Sequence, residues 1–448
     1  MNSKAIQRLT GEAFWVAAGL VSSVIALLIG TRSLTGLLSP TEYGKLALCI
    51  SFATLMMQVC GNPISMAIVR FFSLWHQEGR LNLFLTECLR FTGYGLGIAS
   101  LIFVTLTGIG FFFDGLPGLH LGLTVFGFAC VLTLNRIGNA FEDAARKRRF
   151  RAILQGAFEI GRFLLAILLI IILDSYRTPT VLYGFITVGL IIVGFHAWFI
   201  GRLSALPLPS SALQPLSFSD PVSFPDRNNA LKPDAIRSYA LPLIISNGSI
   251  WVVMMAERWA LTHYGNISDV GGYAAVYQLA FMPMLFISNF LILFFEPILY
   301  QITGKSDNES NTDKALKLNR YLALSILGVT GIIFVSMLFL YPAVGKVLLG
   351  IEFRGYAWLF PWLLLAGGCF AASQQFLLKL TIELRTRSIA LLWSGVAATA
   401  VISYIAGACF WQLDGILGAV VLVNLSLLTF TILFMGRIKR TNASFTTD

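Results

Sequence analysis

Residues 322–340 read LALSILGVTGIIFVSMLFL, and residues 416–435 read ILGAVVLVNLSLLTFTILFM. Neither stretch contains a charged residue, and each approaches the ~20 apolar residues that an α-helix needs to cross a bilayer. The strands of outer-membrane barrels alternate apolar and polar residues instead. The two stretches therefore predict membrane-spanning helices and exclude a membrane β-barrel.

The same pattern runs through the whole chain. Of its 448 residues, 56% are hydrophobic and 12% are charged, whereas a soluble domain carries about 25% charged residues. Roughly 250 apolar residues, at ~20 for each helix, give about twelve spans. The sequence thus predicts an all-α integral membrane protein with about 12 transmembrane helices. The predicted spans are 13–34, 44–69, 83–113, 118–137, 152–173, 178–200, 237–262, 272–300, 319–341, 358–382, 389–410 and 416–435.

The basic residues set the predicted orientation, because Lys and Arg collect in cytoplasmic loops. Of the 32 Lys and Arg residues, 24 fall in one set of alternate loops or at the span ends beside them, Arg136 among these, five fall likewise on the opposite side, and three lie deeper inside spans. We therefore expect a multi-pass protein of the cytoplasmic (inner) membrane with both termini cytoplasmic. Topology also accounts for the net charge of +10 and for the basic run at 146–151, so nucleic acid is not expected as a partner.

A polar segment divides the chain. Residues 201–233 contain six Pro residues among Ser, Asn and Asp, a composition that cannot build a packed core. We interpret residues 201–235 as a cytoplasmic linker between two six-helix bundles, at residues 1–200 and 236–448. The linker is also a candidate docking segment for an assembly enzyme.

The two halves share a short internal repeat. Residues 32–44 read RSLTGLLSPTEYG, and residues 258–271 read RWALTHYGNISDVG. With one inserted residue, both begin with Arg and end with an acid, one further residue and Gly. Each half has an even number of predicted spans, so the repeat would be parallel, about an axis along the membrane normal. Chance similarity is the alternative; a true repeat would indicate a transporter architecture.

Enzyme signatures are missing from the sequence. The best phosphate-loop candidate, at 304–306, lacks the preceding Gly, because residue 299 is Leu. No HExxH or GxSxG motif occurs, and the four His residues are far apart in the chain. The six Cys residues include no CxxC pair and fit small apolar fillers. No catalytic residue, metal site or cofactor is therefore predicted.

The chain resembles the Wzx-type oligosaccharide flippases of the multidrug/oligosaccharidyl-lipid/polysaccharide exporter superfamily. The resemblance begins with residues 11–72 and extends along nearly the whole chain. The motifs that carry it are LSPTEYG at 38–44, VRFFS at 69–73, the acid-Arg pair Glu257-Arg258, GGYAAVYQ at 271–278 and GIEFR at 350–354. The resemblance implies a MATE-like fold of two bundles, and a lipid-linked oligosaccharide as cargo for surface polysaccharide synthesis, including lipopolysaccharide or exopolysaccharide. The family usually has Asp where Glu257 stands.

Charged groups inside spans are candidate functional residues, because they are costly in lipid. Glu159 and Arg162 are three residues apart and share one face of the fifth helix. They either form a mutual ion pair or open during transport, when Arg162 would meet an anionic cargo and Glu159 would take up a proton. Adjacent Glu257 and Arg258 diverge by about 100° around a helix, so only one can face a central cavity squarely.

We predict that Arg258 faces the cavity, because its repeat-mate Arg32 occupies the same place in the first half. Two guanidinium groups could hold a diphosphate through bidentate hydrogen bonds; the alternative is that both reach the external headgroups. Glu257 is then the second candidate for ion coupling. Gln278 and Gln374 are candidates to hydrogen-bond sugar hydroxyls, or they bridge helices.

Three functions compete at this stage. The leading one is a flippase that moves polyprenyl-diphosphate-linked oligosaccharides by alternating access. A cation-coupled multidrug exporter shares the architecture, but it would call for an acid buried in the first helix. A membrane glycan polymerase or transferase would need a large outer loop for its catalytic site, and the predicted outer loops are short.

Overall fold

The computed structural model describes residues 3–203, 231, 233–303, 309–382 and 386–444. The helices before the linker are α1 Ser3–Leu37, α2 Pro40–Met56, α3 Asn62–Gln77, α4 Leu81–Ala144, α5 Arg148–Leu173 and α6 Thr178–Leu203. Those after it are α7 Pro233–Tyr264, α8 Ile267–Thr303, α9 Glu309–Leu348, α10 Phe360–Ile382 and α11 Thr386–Ser444. The described residues contain no strand, which confirms the all-α prediction. In lipid, a helix satisfies its own backbone hydrogen bonds.

Within the described ranges, ten helical segments are long and apolar enough to cross a membrane. Helix α4 contains two predicted spans, 83–113 and 118–137. Phe103 of the first span stacks on Phe126 of the second, with ring centroids 4.8 Å apart. Twenty-three residues of straight α-helix would separate these rings by about 35 Å, so the segment folds back on itself. Helix α11 also contains two, and it turns at Gln412, where φ is 46° and ψ is −120°.

The second predicted span is continuous but irregular. Helices α2 and α3 are joined by a π-helical turn at Met57–Gly61, and Pro63 lies in the first turn of α3. A π-helical turn inserts an extra residue into the helix and often marks a functional position. A 3₁₀-helix at Ile351–Leu359 similarly leads into α10.

The connections on the predicted outer side are short. Residues 38–39 join α1 to α2, residues 174–177 join α5 to α6, and residues 265–266 join α7 to α8. Asp174 ends α5 in the left-handed conformation, with φ 46°, which a short polar side chain tolerates. The backbone stays helical at residues 114–117, between the third and fourth predicted spans, although the chain reverses direction between Phe103 and Phe126.

Two compact units make up the chain. Unit 1 comprises Met1–Ala26 and Lys45–Trp251, and unit 2 comprises Leu27–Gly44 and Val252–Asp448. The chain therefore passes from one unit to the other inside α1, inside α2 and inside α7. The division into two six-helix halves at residues 1–200 and 236–448 stays a prediction. The linker lies almost entirely outside the described residues.

In unit 1, small residues let helices approach closely, as is typical of helix packing in membranes. Gly19 of α1 lies against Ala152 of α5, and Gly184 of α6 lies against the backbone of Ala166 on α5. An aromatic core joins α3 to α4 through rings that include Phe72.

In unit 2, the second part of α1 packs beside the 3₁₀-helix. The amide of Gly350 donates a hydrogen bond of 3.0 Å to Thr35 Oγ1, and the ring of Tyr43 meets Phe353 edge-on. Gly367 brings α10 against the backbone of Phe281 on α8. These contacts join the second part of α1, the start of α2, the 3₁₀-helix, α8 and α10 within the unit.

Candidate functional site

Glu257 and Arg258, near the end of α7, form a buried ion pair in unit 2. Each side chain is only 1% exposed, and Arg258 Nε lies 3.5 Å from Glu257 Oε1. Tyr273 donates a hydrogen bond of 3.4 Å to the same oxygen. The two side chains contact each other despite their divergent starting directions, because an isolated buried charge is far more costly than a paired one. Arg258 therefore does not reach toward headgroups in this structure.

This pair leaves hydrogen-bonding capacity unused. Arg258 Nε and Nη2, Glu257 Oε2 and the hydroxyl of Tyr277 are all buried without a hydrogen-bond partner. The Arg258 guanidinium lies 5.0 Å from the centroid of the Tyr277 ring, a cation–π contact. Buried donors of a guanidinium usually find acceptors, so the cluster could accept an anionic group.

Arg32, the repeat-mate of Arg258, has a different environment. Its side chain is half-buried, and a Cβ added at Gly36, one turn further along α1, would lie 3.7 Å from Arg32 Nη1. Among the side chains that the structure describes, no carboxylate pairs with it. The Arg32 guanidinium is thus oriented toward the end of α1 that the charge distribution assigns to the outer side.

Glu159 and Arg162 pair with each other on α5. Arg162 Nη2 lies 2.5 Å from Glu159 Oε2, and both side chains are partly buried. The guanidinium also lies 4.9 Å from the ring of Phe163 and 5.3 Å from that of Phe185. The structure therefore contains the mutual ion pair, and an opened pair remains a prediction for another state of transport.

The two predicted Gln residues are half-buried, Gln278 on α8 and Gln374 on α10. The neighbouring Gln375 is fully buried instead, and both polar atoms of its side chain lack a hydrogen-bond partner. Asn319 of α9 donates a hydrogen bond of 2.8 Å to the Gln375 carbonyl oxygen. A role of Gln278 and Gln374 in sugar binding stays a prediction.

A polar network in unit 1 surrounds the π-helical turn. Arg136 Nε donates to Asn62 Oδ1 at 2.6 Å, and Asn62 Nδ2 donates to Asn247 Oδ1 at 2.9 Å and to Gln58 Oε1. The interhelical bond between Asn62 and Asn247 agrees with the bridging alternative for polar uncharged residues. The sequence placed Arg136 at a span end beside a loop, whereas the structure has it half-buried within α4.

A second buried group in unit 1 has no counterpart among the sequence predictions. His196 of α6 lies between Glu142 and Asn135 of α4: Nδ1 is 2.7 Å from Glu142 Oε1, and Nε2 is 2.8 Å from Asn135 Oδ1. The three side chains are 2%, 0% and 6% exposed, respectively. Glu142 lies 54 residues from His196 in the chain, so motif spacing could not reveal the pair. The available signal was an ionisable His inside a predicted span.

Solved structures with the same fold are membrane transporters. A multidrug resistance MATE family transporter of the MOP superfamily matches in an inward-facing conformation at TM-score 0.66 and 13% identity, covering 97% of this chain and 100% of that one. An outward-facing conformation of a multidrug resistance MATE family transporter of the MOP superfamily matches at TM-score 0.61 and 15% identity, covering both chains fully. The lipid II flippase MurJ, in an inward closed conformation, matches at TM-score 0.63 and 13% identity, covering 94% and 87%.

The fold and its apolar helices define a multi-pass membrane protein with the MATE transporter fold. No family model and no curated protein matches the sequence. The predicted fold class is confirmed, while the Wzx-type resemblance rests on the motifs of the sequence. In the described residues, no group of His, Cys, Asp and Glu could hold a metal ion.

Proposed function

We propose that this protein is a flippase that moves polyprenyl-diphosphate-linked oligosaccharides from the cytoplasmic to the external leaflet of the inner membrane for surface polysaccharide synthesis. The lipid tail would remain in the bilayer while the charged head group crosses by alternating access. The fold supports a transport function, because similar structures exist in inward-facing and outward-facing conformations. A lipid-linked cargo has a precedent in the fold, since MurJ is named as a lipid II flippase.

One observation carries the choice of an anionic cargo: two guanidinium groups in unit 2 have donors that no carboxylate or other acceptor among the described side chains uses. Arg32 has no carboxylate partner among the described side chains, and Arg258 has two buried nitrogens without hydrogen bonds. Planar guanidinium groups bind phosphate oxygens in bidentate fashion. A diphosphate would supply the acceptors that these donors lack.

A cation-coupled exporter is the second candidate, and one observation favours it. Glu257 is buried, and its Oε2 has no hydrogen-bond partner, so Glu257 could hold a cation if Arg258 moved. The apolar part of α1, Ala17–Leu37, contains Arg32 as its one charged residue and no acid. An organic cation would thus meet a positive charge there.

Deleting the gene distinguishes these functions. A flippase predicts that a lipid-linked oligosaccharide accumulates on the cytoplasmic face, identified by mass spectrometry of extracted lipids, and that surface glycan falls. An exporter predicts normal glycan together with increased sensitivity to cationic compounds. Unchanged lipid-linked sugars in the deletion strain would overturn the proposed cargo.

A further inference from the structure

The buried group of His196, Glu142 and Asn135 in unit 1 lies apart from the anion-binding residues considered above. Gly138, one turn before Glu142 on α4, makes room for the His196 ring, because a Cβ at residue 138 would overlap that ring. The missing side chain lets α4 and α6 approach closely and encloses the imidazole. The His196 ring therefore packs closely against α4 inside a predicted span.

The contacts of His196 fit a protonated ring. A carboxylate oxygen only accepts, and so does the amide oxygen of Asn135, yet both lie within hydrogen-bond distance of a ring nitrogen. A neutral imidazole has one N–H and could satisfy only one of them. With the Asn135 amide oxygen facing Nε2, an imidazolium makes both bonds and forms a neutral pair with the Glu142 carboxylate.

Loss of that proton would change the net charge of the site. A neutral ring can still donate to Glu142, and rotation of the Asn135 amide would let its NH₂ group donate to Nε2. Glu142 would then be a buried charge without a counterion, and its Oε2 already lacks a hydrogen-bond partner. Removing one partner of a buried pair is strongly destabilising, so deprotonation favours a state in which water reaches Glu142.

Other charged side chains on the helices around this group have partners of their own. These pairs are Asp143 with Arg151 and Arg148, Arg136 with Asn62, Glu159 with Arg162, Arg90 with Glu87, Arg70 with the Tyr239 ring, Arg202 with the Trp198 ring and Arg149 with the Trp15 ring. On α3, His76 packs beside Phe72. His196 and Glu142 therefore balance each other.

We propose that His196, Glu142 and Asn135 form a proton-binding site, and that exchange of its proton drives the conformational cycle of the transporter. The second part rests on the proposed transport function. A proton can shift a conformational equilibrium only if the two states bind it with different affinity. Burial of the pair in one state and hydration of Glu142 in the other would supply that difference.

The proton site can be tested without any cargo. Protein labelled with ¹⁵N-histidine in lipid vesicles is examined by NMR between about pH 5 and pH 9, the range in which histidines usually titrate, and His196→Gln assigns the signal. We expect His196 to gain and lose one ring proton within this range. A ring that stays neutral throughout would overturn the proposal.

Coupling is tested by surface glycan per inserted protein. Glu142→Gln keeps the shape and an acceptor oxygen and lets the His196 ring become neutral, so it should insert and lose export. His196→Gln leaves Glu142 buried without its counterion, so less protein should insert, and export per inserted protein should be lost as well. The control is His263→Gln, an exposed histidine. Normal export in both variants would overturn the coupling while the flippase function stands. If deletion of the gene leaves glycan unchanged, the proposed function fails, and the NMR titration still decides whether the proton site exists.

Discussion

Gly44 and Gly271 pack against each other reciprocally in unit 2. A Cβ at Gly44 would overlap the carbonyl oxygen of Ile267 and lie 3.1 Å from the Gly271 nitrogen, while a Cβ at Gly271 would overlap the carbonyl oxygen of Pro40 and lie 3.0 Å from the Gly44 nitrogen. Each glycine thus meets the residue four positions before the other. Such mutual contacts are typical of elements related by a two-fold axis.

These glycines are also the last residues of the two repeats found in the sequence, at 32–44 and 258–271. Each lies in the second turn of its helix, since α2 begins at Pro40 and α8 begins at Ile267. The reciprocal contact therefore supports a true repeat over chance similarity, and its axis along the membrane normal stays a prediction. It also explains the shared Gly, because neither position has room for a side chain.

Changing either glycine should disturb this contact. We expect Gly44→Ala and Gly271→Ala to lower thermal stability in detergent, because overpacking against backbone costs roughly 1–3 kcal/mol or more. A matched control is Gly328→Ala in α9, where a Cβ would meet nothing within 4 Å. That change should be neutral or slightly stabilising, since Ala favours helix by about 0.5–1 kcal/mol. Equal melting temperatures for all three variants would contradict the close contact.

Arg32 should be required for export and not for folding. Its half-buried side chain has no carboxylate partner among the described residues, so Arg32→Gln should insert normally and nearly abolish surface glycan. Arg32→Lys should reduce export part-way, because Lys keeps the charge and loses the planar fork. Lys317→Gln, at an exposed residue, is the control. A silent Lys variant with a mild Gln variant would indicate simple contact with headgroups instead.

Arg258 should be required for both export and folding. Arg258→Gln leaves Glu257 buried without its counterion, a loss that typically costs about 3–5 kcal/mol, so we expect reduced amounts of inserted protein. Changing Glu257 and Arg258 together to Gln removes both charges and should restore insertion without export. Near-normal export in this double variant and in Arg32→Gln would show that Arg32 and Arg258 are not needed to bind a diphosphate during transport.

The role of the Glu159–Arg162 ion pair on α5 can be tested by exchanging the two residues. Glu159→Gln and Arg162→Gln should each destabilise the protein moderately, because the pair is partly buried. Exchanging the two residues, with Glu159→Arg and Arg162→Glu together, should restore stability. If Arg162 meets the anionic cargo, the exchanged protein will still fail to export glycan at normal abundance. Full export would assign a purely structural role to the pair.

Cysteine labelling tests the predicted orientation. In a cysteine-free background, which removes the exposed Cys409, single cysteines at Ser210, Asn308 and Ser444 should react only after the inner membrane is permeabilised. Cysteines at Asp114 or Asp414 should react in intact cells. The expectation follows from the distribution of Lys and Arg. Labelling at residue 308 in intact cells would contradict the twelve-span topology.

Deleting residues 210–222 tests the linker. A polar, Pro-rich segment has no packed partner to lose, and loop length affects closure entropy only weakly. We expect normal insertion and normal export. Export lost at normal abundance would show instead that the segment docks a partner, such as a polysaccharide assembly enzyme.

The sequence by itself determined the helical class and most of the spans. Lipid offers no hydrogen bonds, so an uncharged apolar stretch such as 322–340 has to be helical; α9 indeed contains it. The shared glycines at residues 44 and 271 were also visible in the sequence, because a glycine at a close backbone approach leaves a signal that does not depend on its neighbours.

The tertiary structure alone decided which polar groups meet. Glu142 and His196 are separated by 54 residues, and Glu257 and Arg258 bend back on each other although their Cα–Cβ bonds diverge. Hydropathy averages over about 19 residues and therefore contains no information on the rotation of one helix against another. That rotation determines whether a buried charged group lies beside a counterion or beside a hydrogen-bonding side chain.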